Sequence, residues 1–303
     1  MGGNTQQTPA KDVLRGALAA QMRLIDLAIH ALVNGHGVTE HEKLSQAQSV
    51  VNTVSLMLQA MGTSIHSLIR LTDELGMSVR DCFGIARSIA ETGINVAYII
   101  AGGNHMAEKA QRHALQKGFR DLHRQGEMGG FGFSVLWNGP IPDPKDIPGL
   151  QEALAEFSTS KGREKDWTDD NLGARIDCIR KKFGNMTVGI SGAAASIYRH
   201  SSEILHGSYF GTTYFWTGGV NRPTNREAYD ALFFSHFVAA FTAAFFSTHG
   251  VLEIIAKEFG QDELKKANND LFHLVARHCN SGDLDLGVDG LAALPFGWAA
   301  YIE

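Results

Sequence analysis

The stretch GMSVRDCFGIARSIAETGINVAYIIAGG, Gly76 to Gly103, decides how the chain reads. It is apolar nearly all round a helix except for one line: Arg80, Gly84, Arg87, Glu91, Asn95 and Tyr98. Residues three and four apart stack on one helix face. A solvated face is broader and richer in Lys and Glu. A narrow polar line on an apolar helix has to find partners inside the protein, because an unpaired buried polar group costs about 1–3 kcal/mol.

A second stretch answers it: IYRHSSEILHGS, Ile197 to Ser208. On a helix, Tyr198, Arg199, Ser202, Glu203 and His206 fall within about 140° of one another, opposite Ile197, Ile204 and Leu205. One front therefore carries a phenol, a guanidinium, a hydroxyl, a carboxylate and an imidazole. Glu203 is within reach of both Arg199 and His206. Gly207 is placed to end the helix. The spacing predicts that the two polar faces meet, with Glu91 bonded to Arg87, Arg199, Tyr198 or His206. Two readings stay open: a satisfied structural network, or a reactive site.

The whole chain sets the frame. It has 303 residues, 44% hydrophobic and 19% charged, with net charge −5, enough for one large domain or two small ones. Nothing global attracts it to nucleic acid or anionic lipid, so any RNA contact must come from a local patch and DNA has no signal. The three cysteines, Cys82, Cys178 and Cys279, are far apart and form no CxxC pair, which points to a reducing, cytoplasmic setting. Residues 1–10 are polar and read as a disordered tail without a signal peptide.

Outward from the two stretches the pattern is helical. Leu14, Leu18, Met22, Ile25, Ile29 and Val33 repeat at helical spacing. Thr39 and Glu42 form a capping box for a helix from Glu40 to Leu75, predicted to pair with the first as an antiparallel hairpin over 11–75. The core then spans 76–280, with a tail at 281–303. Asn104 can cap a helix over Met106–Gln125 that lines up His113, Lys117, Arg120 and Arg124. That basic line suits an RNA backbone or a solvated face. Gly126 to Gly149 reads as a long loop, and no strand pattern is evident. Thr168 looks like a cap for a helix to Phe183. The small residues of GISGAAAS, from Gly189, allow close helix packing, and Tyr209 to Gly219 should cover the site. Asn225 or Thr224 caps the longest helix, where Phe233, Phe237, Phe241 and Phe245 repeat at four, a buried helix or dimer seam rather than a membrane span.

Three chemistries can be weighed on the Ile197–Ser208 front. A metal site from His200, Glu203, His206 and Glu91 is one, but a single Glu-x-x-His falls short of a di-iron set. A Ser202–His206 nucleophile pair has no oxyanion hole or nucleophile elbow in support. RNA cleavage needs a proton-transfer group near the 2′-hydroxyl and a cation for the developing phosphorane charge, and His206 with Arg199 supplies both without metal.

The ordered set Arg87 and Glu91, Trp167, then Tyr198, Ser202, His206 and Gly207 resembles a bacterial family of helical proteins of unknown function. More distantly, Arg199 with six residues before His206 resembles the R-x4–6-H motif of HEPN proteins. That resemblance implies a helical bundle, often dimeric, many of whose members are ribonuclease toxins or phage-defence effectors acting through the Arg and His at a dimer cleft. The expectation is therefore an all-α, single multi-helix bundle with an HEPN-like core and an added N-terminal hairpin. It implies His206 and Arg199 as catalytic groups with Glu91 and Arg87, and Tyr198, Ser202, Glu203 and Asn95 in support. RNA and a second copy are the expected partners; no cofactor, metal or membrane is expected. The alternatives are a non-catalytic helical binding or regulatory protein and a metal enzyme using Glu203 and His206.

Overall fold

The computed structural model describes residues 7–34, 47–136, 138–219 and 221–281. In chain order the helices are α1 (Gln7–Asn34), α2 (Gln48–Leu71), α3 (Val79–Asp121), α4 (Leu150–Glu156), α5 (Leu172–Phe183), α6 (Thr187–Leu205), α7 (Tyr209–Thr217), α8 (Arg226–Glu258) and α9 (Asp262–Ser281). Two strands, β1 (His123–Met128) and β2 (Phe131–Leu136), stand between α3 and α4. The fold is all-α, a multi-helix bundle with one small hairpin.

The axis is α3, packed against α2, α5, α6 and α8. Its apolar all-round sequence suits that position: Cys82, Phe83, Ala86, Ile89, Ala90 and Ile94 are all buried. Gly103, at φ 66° and ψ −157°, interrupts the helix at the glycine pair that the sequence marks as its end. The Asn104 side chain accepts from the Val50 amide at 3.4 Å, in the first turn of α2.

α1 and α2 pack as the expected hairpin. Val50, Val51, Val54, Leu58, Met61 and Ile65 are buried, whereas Val33 is exposed. α1 begins at Gln7, inside the segment expected to be a tail, and Ala10 is already buried. α2 ends at Leu71, four residues before the expected Leu75. The Ser78 hydroxyl takes the Leu71 carbonyl at 2.8 Å. Thr39, Glu42 and the start of the helix predicted from Glu40 lie outside the described residues, as do 1–6 of the N-terminal tail and 282–303 of the C-terminal one.

The phenylalanine helix α8 lies in the core. Phe233, Phe237, Phe241 and Phe245 are all buried. The small residues of α6 serve the predicted close packing: a side chain at Gly189 would meet the Phe246 carbonyl oxygen at 2.8 Å. Ile190, Ala193 and Ala194 of that run are buried, whereas Gly192, Ala195 and Ser196 are exposed. Two helices, α8 and Ala10–Asn34 of α1, are long and apolar enough to cross a membrane, and 56% and 50% of their most apolar windows are buried in the fold.

The Gly126–Gly149 loop is corrected in part. β1 and β2 pair antiparallel, Met128 opposite Phe131, across Gly129 and Gly130 at φ 58° and 83°. A two-residue turn with both φ positive is the hairpin geometry that glycine alone enters without strain. Asn171, not Thr168, caps α5, accepting from the Ala174 amide at 3.0 Å. The Thr168 hydroxyl instead accepts from the Asp170 amide at 3.1 Å.

Candidate functional site

The two polar faces meet over half their length. The Arg87 Nε donates to Glu91 Oε1 at 2.9 Å, and the Tyr198 hydroxyl donates to that same oxygen. The Arg87 guanidinium also lies 4.6 Å from the centre of the Tyr198 ring. Burial, then the Glu91 bond, pushes the Tyr198 phenol up to about 12, so the hydroxyl stays a donor. Burial works against the Arg87 charge, but the Glu91 bond and charge outweigh it and hold the guanidinium above its ordinary value. Nearby, Arg80 Nη2 donates to the Ile204 carbonyl at 2.9 Å. A side chain at Gly84 would meet Leu205 Cδ2 at 2.8 Å, so that glycine leaves room on α3 for the Leu205 side chain of α6.

The other half of the line goes elsewhere. Asn95 Oδ1 accepts from Arg175 Nη1 at 2.8 Å, and the Tyr98 hydroxyl donates to Asp170 Oδ2 at 2.6 Å. Arg175 Nε also reaches the Asp170 carbonyl at 2.9 Å. Asn95, expected as support for α6, is therefore part of a joint between α3 and α5. Burial, then the Asp170 bond, raises the Tyr98 phenol above its ordinary value.

Arg199 and Ser202 lie on α6, and His206 is the residue that caps its C-terminus. Arg199 and His206 are exposed and Ser202 is half-buried. Among the described residues neither Arg199 nor His206 pairs with a carboxylate; the Arg199 guanidinium lies 5.9 Å from the Phe210 ring centre. Glu203 turns from both, accepting from the Ser208 hydroxyl at 2.5 Å. Ser208 is the residue sequence reasoning missed: it caps α7, accepting from the Gly211 amide at 3.0 Å, and ties that cap to Glu203. A hydroxyl directly after the Gly207 stop was the available signal. Gly207 does end α6, at φ 63°, with the Ser208 amide bonded to the Glu203 carbonyl at 3.2 Å.

The cover predicted from Tyr209 to Gly219 is a helix, and it lies over His200 rather than His206. Tyr214 stacks on His200 at 4.1 Å and 8°, and Phe210 lies 6.4 Å from that imidazole at 20°. Beneath them His236 is buried against Phe83, Tyr214 and Phe215, its Nε2–H donating to the Phe215 carbonyl at 2.9 Å. Burial, then the Arg199 charge, lowers the His200 pKa, and burial lowers that of His236.

The basic line is broken and occupied. α3 stops at Asp121, so Arg124 lies on β1, 3.6 Å from Asp121. His113 Nε2–H donates to the Lys165 carbonyl at 3.2 Å, and Lys117 pairs with Glu164 at 3.3 Å. Arg120 donates to the Gly162 carbonyl at 3.2 Å and the Ser158 hydroxyl at 2.6 Å. His113, Lys117 and Arg120 clamp the 158–165 segment onto α3. Phosphate would have to displace those bonds.

No group of three or more His, Cys, Asp or Glu side chains is placed to hold a metal ion among the described residues. The set His200, Glu203, His206 and Glu91 does not converge: Glu91 serves Arg87 and Tyr198, Glu203 serves Ser208, and His200 is stacked on Tyr214. Comparison with protein-family models, curated proteins and solved structures gives no match.

Proposed function

We propose that this chain is a metal-independent ribonuclease of the HEPN-like kind, with the C-terminal end of α6 as its reactive surface. The observation that carries the reading is the pair Arg199 and His206. Arg199 lies on α6 and His206, seven residues on, is the cap residue just past its end; both are exposed, and no carboxylate among the described residues pairs with either. His206 takes the proton from an RNA 2′-hydroxyl, whose oxygen attacks the adjacent phosphorus. The bond to the 5′-oxygen of the next nucleotide breaks, that oxygen takes the proton held by His206, and a 2′,3′-cyclic phosphate remains. Arg199 holds the phosphate and neutralises the charge that builds on it. Ser202 lies between them in the chain. Arg87, Glu91 and Tyr198 are positioning residues that fix α6 against α3. A toxin or phage-defence effector is the setting such an activity suits.

The test is RNA cleavage by the purified chain in EDTA. Parent protein should cleave, and His206→Ala should not while keeping its thermal melt. A second reading, a non-catalytic helical binding or regulatory protein, is favoured by the closure of Arg87, Glu91 and Tyr198 on one another, which leaves that cluster structurally satisfied. Intact RNA after incubation with the parent chain would favour it.

A further inference from the structure

We infer that Phe210 is the base-stacking platform of this site, so that the scissile nucleotide must be unpaired. The inference rests on the ribonuclease reading and names what that site recognises. Phe210 is 46% exposed, a large aromatic surface for a residue so close to a charged face. Its ring is not loose. It lies within 20° of His200 and 24° of Tyr214, which themselves stack at 8°. The packed pair beneath orients the Phe210 ring before any ligand arrives. Next to it Tyr209 is 89% exposed.

The second observation is charge. The Arg199 guanidinium lies 5.9 Å from the Phe210 ring centre, and no carboxylate among the described residues neutralises it. The guanidinium lies over the ring, so aromatic area and positive charge come together here, the counterpart of a flat base and its phosphate. Stacking on an aromatic ring is open to every base but only when the base has left its duplex, so the platform selects single-stranded RNA without reading sequence.

Binding is measured by fluorescence anisotropy with a short fluorescein-labelled single-stranded adenylate RNA and with its duplex. Full-length chain carrying His206→Ala is used so that the RNA stays intact. Single strand should bind more tightly than duplex. Adding Phe210→Leu, which keeps apolar bulk but has no ring, should weaken single-strand binding by about tenfold or more, and Phe210→Trp should preserve it. Equal binding by Phe210→Leu, with Arg199→Ala still impaired, overturns the platform and leaves the ribonuclease reading standing. No binding by the His206→Ala chain, together with no cleavage by the parent, overturns both. If Phe210→Leu instead converts a dimer to a monomer in light scattering, the ring serves self-association and the platform is overturned.

Discussion

Tyr198→Phe removes one hydroxyl from the junction of α3 and α6 and leaves the ring beneath Arg87. The lost bond has an ionised acceptor, a class that contributes about 1.5–3 kcal/mol. The Glu91 side chain is 39% exposed, so water replaces part of that bond and the cost falls to about 1–2 kcal/mol. The remaining Arg87–Glu91 pair is an i,i+4 contact at 2.9 Å, a kind that contributes about 0.3–0.5 kcal/mol. At about 2–4 °C per kcal/mol for a domain of this order of size, Tyr198→Phe lowers Tm by roughly 2–8 °C. Glu91→Ala costs somewhat more, because it strands both the phenol and the guanidinium. The decisive assay is the double-mutant cycle by urea unfolding. Tyr198→Phe and Glu91→Ala share one contact, so a coupling of about 1 kcal/mol is expected. Changes that add within about 0.3–0.5 kcal/mol would refute the reasoning, since residues out of contact behave that way.

Three further outcomes are expected. A side chain at Gly211 would meet the Ile204 amide nitrogen at 2.6 Å; that neighbour is backbone, so Gly211→Ala should cost about 1–3 kcal/mol in thermal unfolding as α7 is forced off α6. Asn171→Ala removes the cap of α5 and should cost about 1 kcal/mol, while Thr168→Ala should leave the start of α5 in place by amide hydrogen exchange. Burial holds the His236 pKa below the ordinary 6.5, so the unfolded chain takes up a proton that the folded chain refuses. Stability should fall as pH drops below about 6.5, by up to about 1.4 kcal/mol per pH unit for this group. His236→Gln should flatten that part of the urea-derived pH profile.

Helix existence was legible because the chain repeats apolar residues at helical spacing from Leu14 to Phe245. The contact of Glu91 with Tyr198 was legible for a sharper reason: two narrow polar stripes on apolar helices need each other. Asn95 and Tyr98 belong to the same stripe, yet they bond Arg175 and Asp170. Nothing in the stripe distinguishes a partner on α6 from one on α5. The clamp that the basic line makes was not legible because two of its acceptors, the Gly162 and Lys165 carbonyls, are backbone atoms that leave no mark in sequence. The hairpin did leave one: Phe131, Phe133 and Val135 alternate after Gly129-Gly130, a period-2 signal hidden among glycines and prolines. Ser208 went unread because its role appears only when α6 stops and α7 starts within three residues.

RNA cleavage in EDTA, run beside thermal melting on the parent, Arg199→Ala, Arg199→Lys and His206→Ala, tests the central claim most directly. The account predicts cleavage by the parent, loss in both alanine variants with melts close to the parent, and poor rescue by lysine, which lacks the guanidinium fork. Cleavage unchanged in Arg199→Ala and His206→Ala, or no cleavage by the parent at all, would contradict it.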